Sequence, residues 1–223
     1  MKYGRFALLV IPIFFAVLAL SGWGYLYQSA VSASCSILLL LVPDKKIRRM
    51  AWFIVAAFLF SIAGDGFLSH RNGLPIRFIA GIGLFLMAHF GYILFCIKNG
   101  EIKQTFLLFL LIGYLLLFYF VFYPSIHDYV LLTAVLLYII ISCLSLAAAA
   151  GLKLVPVTRW FFTIGITCLV FSDTLIALRE FAGFKGLYYL MLPTYYGSQI
   201  MVTLSLLLVP KGGHSSKVRM SSL

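Results

Sequence analysis

Long apolar segments alternate with short polar gaps along almost the whole chain. The pattern predicts eight helices, approximately at 6–27, 30–43, 50–68, 75–97, 105–123, 128–150, 157–178 and 188–209. The gaps contain proline, glycine and asparagine, which are the residues that end helices and form turns. Since about 20 helical residues cross a bilayer core about 30 Å thick, most of these segments have a membrane-spanning length. The second segment is short and rich in serine, so its limits are the least defined.

Composition supports the same interpretation. Of the 223 residues, 63% are hydrophobic and 10% are charged, and the mean hydropathy is +1.09. A soluble domain of this size always leaves part of its apolar surface outside and could not bury so much of it. We therefore predict an all-α, polytopic membrane helix bundle with about eight transmembrane helices. A single transmembrane domain is expected over 1–210, followed by a polar C-terminal tail at 211–223.

Positive charge is distributed unevenly between the two sides of this predicted bundle. The net charge is +11, and thirteen of the 17 lysines and arginines fall on the side of the N-terminus and the even-numbered helix exits. The positive-inside rule therefore predicts cytoplasmic termini, in a multi-pass protein that we expect in a bacterial inner membrane. No basic patch with interleaved aromatic residues is present, so nucleic-acid binding is not expected. The opposite side holds four cations: Arg71, Arg77, Arg179 and Lys185.

The N-terminus has some features of a signal peptide. Lys2 and Arg5 precede the apolar run 6–20, and the small residues at 30–34 are typical of a cleavage region. However, Trp23 and the residues after it extend the apolar run and have the composition of an aromatic belt. We expect this helix to be retained.

Common motifs for cofactors and nucleophiles are absent from the sequence. It has no phosphate loop, GxGxxG, GxSxG or HExxH motif, and its four cysteines form no CxxC pair. No cluster of His, Asp and Glu has the spacing of a metal site. No metal and no cofactor are therefore expected.

Two carboxylates lie where a charge is expensive. Asp65 and Asp173 are inside apolar helices, and each precedes an arginine by six residues, which places it roughly 9 Å below the same face of the membrane. An Asp at a helix centre costs about 2.5–3.5 kcal/mol on insertion scales. The pair could cap neighbouring helices or bond hydroxyl groups, or it could carry the function, which is the usual role of ionisable groups inside a membrane. The other acidic residues are expected to be solvated: Asp44, Glu101, Asp128 and Glu180.

Other polar side chains inside the helices are candidates for supporting roles. His89 and Tyr92 are three residues apart and share one face of the fourth helix. His89 lies about 18 Å below the outer face, roughly 9 Å deeper than the aspartates, and a lone histidine of this kind is more often a core residue. In the eighth helix, Tyr195 or Tyr196 is expected to face the interior together with Gln199.

Four segments together resemble the YhhN-like lysoplasmalogenases. They are GDGFL (64–68), GIGLFLMAHFGYI (81–93), FSDTLIAL (171–178) and LPTYYGSQ (192–199). The second helix has no lysine at the position where the family usually has one. The resemblance implies an eight-helix integral membrane hydrolase whose paired catalytic aspartates correspond to Asp65 and Asp173. The implied substrate is a lysoplasmalogen lysophospholipid, whose sn-1 vinyl ether is cleaved to a fatty aldehyde and glycerophosphocholine or glycerophosphoethanolamine.

Several alternatives stay open at this point. The cations Arg71, Arg77, Arg179 and Lys185 could hold the substrate phosphate or contact lipid headgroups in the ordinary way. A small transporter or proton-coupled channel could use the two aspartates as a relay, and a receptor-like scaffold would use them for no chemistry. Because most of the ionisable groups gather toward one face, a one-sided pocket is favoured. The sequence leaves the oligomeric state open.

Overall fold

The computed structural model describes residues 4–70, 72 and 74–210, and this part of the chain is helical throughout, apart from its connecting loops. The predicted fold class is confirmed. The helices are α1 (Val10–Leu20), α2 (Tyr25–Leu39), α3 (Trp52–Ser69), α4 (Pro75–Asn99), α5 (Gln104–Leu117), α6 (Tyr129–Ala150), α7 (Pro156–Ala182) and α8 (Met191–Leu207). Arg71 and the polar tail 211–223 lie outside the described residues.

Five helical segments within the described residues are long and apolar enough to cross a membrane. They correspond to α3 to α7, and α3 forms one segment with the short helix Lys45–Met50 before it. Of the other helices named above, α1 has 11 residues and α2 has 15, which is shorter than a full span. α8 has 17 residues and directly continues a 3₁₀ turn at Tyr188–Leu190.

The predicted boundary between the first two helices was wrong. α1 ends at Leu20, and α2 begins at Tyr25 rather than at residue 30. Gly22 and Gly24 lie between them with φ angles of +86° and +93°, a backbone conformation that only glycine adopts easily. The aromatic residues that we assigned to the first helix therefore lie in a turn and at the start of α2.

The end of α5 changes its helical geometry. α5 continues as a π-helix at Phe118–Phe122 and a final turn at Tyr123–Ser125. Pro124 lacks an N–H and its ring would collide with the carbonyl four residues earlier, and a local π turn relieves such a conflict. This turn directs Phe122 into the bundle, where only 1% of it is exposed.

Small residues allow the helices to approach closely. Gly91 on α4 packs against α3, and Gly165 on α7 packs against α8. A Cβ at Gly91 would lie 2.6 Å from the carbonyl oxygen of Phe53 and 3.0 Å from Cβ of Ala57. Because lipid offers apolar contacts as good as those of a leucine, close backbone packing of this kind stabilises helix association in membranes.

Three of the carboxylates that were expected to be solvated lie at helix ends or in a loop, as predicted. Asp44 accepts a hydrogen bond from Ile47 N at 2.9 Å, and Asp128 accepts one from Val130 N at 2.8 Å, so both cap helices. Glu101 is exposed and lies 2.7 Å from Lys153 Nζ and 3.2 Å from Lys103 Nζ. These two lysines lower the pKa of Glu101.

Gly91→Val should destabilise the bundle, because its side chain would collide with the α3 backbone. Overpacking of this kind costs about 1–3 kcal/mol. Thermal unfolding of the purified protein in detergent should show a lower midpoint. The matched control is Gly83→Val on the same helix, where a Cβ would have no neighbour within 4 Å. Equal midpoints for the two variants would contradict the proposed close packing of α3 and α4.

Candidate functional site

The two membrane-embedded aspartates line one cavity of about 290 Å³, called here the polar cavity. Asp65 reaches it from α3 and Asp173 reaches it from α7. Gln28 from α2, Tyr195 from α8 and Arg179 from α7 are among the other polar residues that line it. The arrangement brings together carboxylates that are 108 positions apart in the chain. Concave sites with a few convergent polar groups are typical of small-molecule binding sites.

Asp65 is positioned by the eighth helix. The hydroxyl of Tyr195 donates a hydrogen bond to its Oδ2 at 2.8 Å. Tyr195 is itself held in place, since it is 5% exposed and its ring packs edge-on against Phe85 at a centroid distance of 6.2 Å. A carboxylate removed from water needs such a donor, because an unpartnered buried charge is costly.

Asp173 has two partners from two other helices. Tyr138 on α6 donates to its Oδ2 at 2.8 Å, and His89 Nε2 on α4 lies 3.1 Å from the same oxygen. The side chain of Asp173 is 8% exposed and that of His89 is 1% exposed. The two rings that face Asp173 also contact each other edge-on, with 5.4 Å between their centroids.

The other side of the histidine ring is also occupied. His89 Nδ1 lies 2.8 Å from Ser145 Oγ, and that hydroxyl donates to the carbonyl oxygen of Ser142 at 2.9 Å. Ser142 Oγ is 3.4 Å from His89 Nε2. A continuous network therefore runs from Asp173 through His89 to the backbone of α6.

His89 lies closer to Asp173 than the depth estimate from the sequence predicted. The two helices are antiparallel, and a Cα–Cβ bond tilts toward the N-terminus of its own helix. The side chain of His89 therefore leans toward the end of the bundle where α4 begins, and that of Asp173 leans toward the opposite end. These opposite tilts bring the two side chains together across a difference in Cα depth.

An apolar cleft adjoins the polar cavity. Its wall includes Phe122 from the end of α5, Ile139 from α6 and Phe181 from α7. Asp173 lines both the cleft and the cavity, whereas Asp65 lines only the cavity. Phe85 also borders both spaces. Asp173 therefore lies where a polar space meets an apolar one.

The remaining candidates in the helices lie beside the cavity wall or deeper in the bundle. Tyr92 is 1% exposed and packs edge-on against His89, with 6.2 Å between the ring centroids. Tyr196 contacts the ring of Tyr195, with its hydroxyl buried. Gln199 accepts a hydrogen bond from Ser32 Oγ on α2 at 2.8 Å. None of these three is among the residues that line the cavity.

The candidate phosphate-binding cations differ in whether they line the polar cavity. Arg179 lines the polar cavity, and its guanidinium carbon lies 3.8 Å from the centroid of the Tyr188 ring. Arg77 donates to the backbone carbonyl of His70, and Lys185 is exposed. Neither Arg77 nor Lys185 lines the cavity. Arg71 lies outside the described residues.

Sequence reasoning missed several residues of the site. Tyr138 bonds Asp173, and Ser142 and Ser145 both contact the ring of His89. Their spacing of four and three residues in an otherwise apolar helix places them on one face, which is a usable signal. Gln28 and Glu180 also line the cavity, although Glu180 was expected to be an ordinary solvated charge.

No group of three or more metal-binding side chains (His, Cys, Asp or Glu) occurs among the residues that the structure describes. The polar cavity is lined by the carboxyl groups of Asp65, Asp173 and Glu180 and by the phenol of Tyr195, and Asp173 also contacts His89 and Tyr138. Such groups can donate and accept protons and can stabilise a nearby positive charge.

Comparison with known protein families identifies the family of this chain. The model of the YhhN family matches residues 27–206, which includes both aspartates and every side chain of the hydrogen-bonded network. No curated protein and no solved structure matches the chain. The matched region covers most of the chain, and the chain belongs to the YhhN family.

Proposed function

We propose that this membrane protein is a lysoplasmalogenase that hydrolyses the sn-1 vinyl ether of a lysophospholipid. The observation that supports the proposal is that Asp65 and Asp173 line one cavity, which adjoins an apolar cleft. The products would be a fatty aldehyde and glycerophosphocholine or glycerophosphoethanolamine.

Hydrolysis of a vinyl ether needs a proton donor and a base that activates water, and Asp65 and Asp173 can take these two roles. Protonation of its β-carbon converts the double bond into an oxocarbenium ion, and water then attacks the carbon next to the oxygen. The resulting hemiacetal collapses to an aldehyde and an alcohol. One carboxyl group supplies the first proton, and the other accepts a proton from water. Paired carboxyl groups divide these roles in the same way in glycoside hydrolysis, where the cation is also an oxocarbenium ion.

The two adjoining spaces match the two parts of such a substrate. The cleft would offer an alkenyl chain contacts with Phe122, Ile139 and Phe181, and the polar cavity would offer a glycerophosphate polar partners. Arg179 follows Asp173 by six residues, about 9 Å along α7. Five covalent bonds separate the ether oxygen of a lysoplasmalogen from its phosphorus, so an arginine at this distance can reach the phosphate.

Asp65→Asn and Asp173→Asn should each lower kcat for aldehyde release by about 10²–10⁴-fold, the usual contribution of a general acid or base. The assay uses purified protein in detergent with a defined 1-alkenyl lysophospholipid. Asp128→Asn is the matched control, because Asp128 caps α6 and lies in an exposed loop.

Near-normal turnover by either aspartate variant would overturn the two-carboxylate mechanism. Turnover in detergent also separates a hydrolase from a transporter or a channel, since transport requires a sealed membrane. A wild-type protein that releases no aldehyde in detergent but moves protons or solutes in vesicles would favour the relay function.

Arg179→Gln should raise KM for phosphate-bearing substrates about tenfold or more, with a small change in kcat. The reason is that a hydrogen bond to a charged group contributes about 1.5–3 kcal/mol. A 1-alkenyl glycerol without phosphate should be hydrolysed equally by the variant and the wild type. Arg159→Gln, at the opposite end of α7, is the control. An unchanged KM for the phosphate-bearing substrate would exclude Arg179 as the headgroup contact.

A further inference from the structure

The two aspartates differ in their surroundings, and the difference bears on which is the acid. Asp173 lines both the apolar cleft and the polar cavity, whereas Asp65 lines only the polar cavity. In a vinyl ether the carbon that is protonated carries the alkyl chain, and the carbon that water attacks carries the glycerol oxygen. The acid therefore belongs on the cleft side, and the base belongs where water enters the polar cavity.

The histidine network shows where the acid can store its proton. Ser145 Oγ uses its own hydrogen for the carbonyl of Ser142, so toward His89 Nδ1 it can only accept. The hydrogen on Nδ1 is thereby fixed, and Nε2 carries a hydrogen only when the ring is an imidazolium. The contact of 3.1 Å between Nε2 and Asp173 Oδ2 then needs one proton, on either the histidine or the aspartate. Ser142 Oγ lies 3.4 Å from Nε2. It can donate to Nε2 when this nitrogen has no hydrogen and accept from it when it has one.

Among the described residues, no histidine is hydrogen-bonded to Asp65 as His89 is to Asp173. The hydrogen-bond partner of Asp65 is the hydroxyl of Tyr195, which donates to Oδ2 and so suits an ionised carboxylate. Tyr138 likewise donates to Asp173 Oδ2. Of the two aspartates, however, only Asp173 also has a histidine, His89, beside that oxygen. The two carboxyl groups are therefore not equivalent.

From this asymmetry we infer that Asp173, paired with His89, is the general acid that protonates the β-carbon, and that Asp65, held by Tyr195, is the base that activates water. The inference rests on the proposed function and adds a role for each group. It also makes His89 part of the proton-transfer machinery rather than a core histidine.

The steps balance without any further reactant. The Asp173–His89 pair gives its proton to the β-carbon as the carbon–carbon π bond breaks. Water forms a bond to the adjacent carbon and gives one proton to Asp65. In the collapse of the hemiacetal, Asp65 protonates the departing glycerol oxygen and the hemiacetal hydroxyl returns a proton to Asp173. Both carboxyl groups end in their starting states, and one water has been consumed.

Azide rescue separates the two roles, because azide attacks an oxocarbenium ion without a general base. Asp65→Ala in detergent with sodium azide should convert the substrate to an adduct heavier by one HN₃, detected by mass spectrometry. Asp173→Ala should form no adduct, since nothing protonates the alkene. Asp65→Ser, with a similarly shortened side chain, provides a second test of the base if the alanine variant does not fold.

The opposite pattern would overturn this assignment, namely an azide adduct from Asp173→Ala and none from either Asp65 variant. That outcome leaves the lysoplasmalogenase proposal intact, since wild-type protein would still release aldehyde. Failure of the wild type to release aldehyde would instead remove the proposed function itself. The two failures are therefore distinguishable in one set of measurements.

The role of His89 has its own test. His89→Ala should lower kcat about 10²-fold, the lower end of general acid–base effects, with KM nearly unchanged. Added imidazole should restore turnover, whereas pyrazole, which is equal in size but a far weaker base, should not. His127→Ala, which removes an exposed histidine from the loop between α5 and α6, is the control. Equal rescue by imidazole and pyrazole would mean that His89 only fills space, and the inferred proton store would be wrong.

Discussion

The burial of two carboxyl groups inside an apolar helix bundle is the constraint on which the rest of the site depends. An Asp at a helix centre costs about 2.5–3.5 kcal/mol, so both groups need donors from neighbouring helices. Tyr195 provides one for Asp65, and Tyr138 and His89 surround Asp173. These contacts connect α3 to α8 and connect α7 to α6 and α4. The polar network that makes the aspartates tolerable therefore also fixes which helices are neighbours.

The same network divides the site into two unlike halves. On one side, a carboxyl group with a phenol donor borders a polar space; on the other, a carboxyl group shares a contact with a buried histidine beside an apolar cleft. Acid–base catalysis by two carboxyl groups needs such a difference, because identical surroundings would favour the same protonation state for both. The helices create it by presenting different partners to Asp65 and Asp173.

Much of this arrangement could be predicted from the sequence, and the errors have physical causes. Helix existence follows from hydropathy and length, and Asp65 and Asp173 stand out because charges are rare in apolar helices. The turn at Gly22 was missed because Trp23 and the residues after it were interpreted as an aromatic belt that extends the first helix. The placements of His89 and Gln199 were not predictable, because spacing within one helix does not reveal the neighbouring helix. Only the packed bundle shows that Gln199 bonds Ser32 while His89 reaches Asp173.

The proposed lysophospholipid substrate agrees with the order of the groups along α7. The reactive ether of a lysolipid lies just below its headgroup, and Asp173 lies about 9 Å along α7 from Arg179, which borders the same polar cavity. A phosphate held at Arg179 would therefore place the vinyl ether near the level of Asp173. The chain beyond it would continue into the apolar cleft, where Phe122 is positioned by the π turn of α5. Each part of the substrate then meets surroundings of matching polarity, and only the bond to be cleaved lies between them.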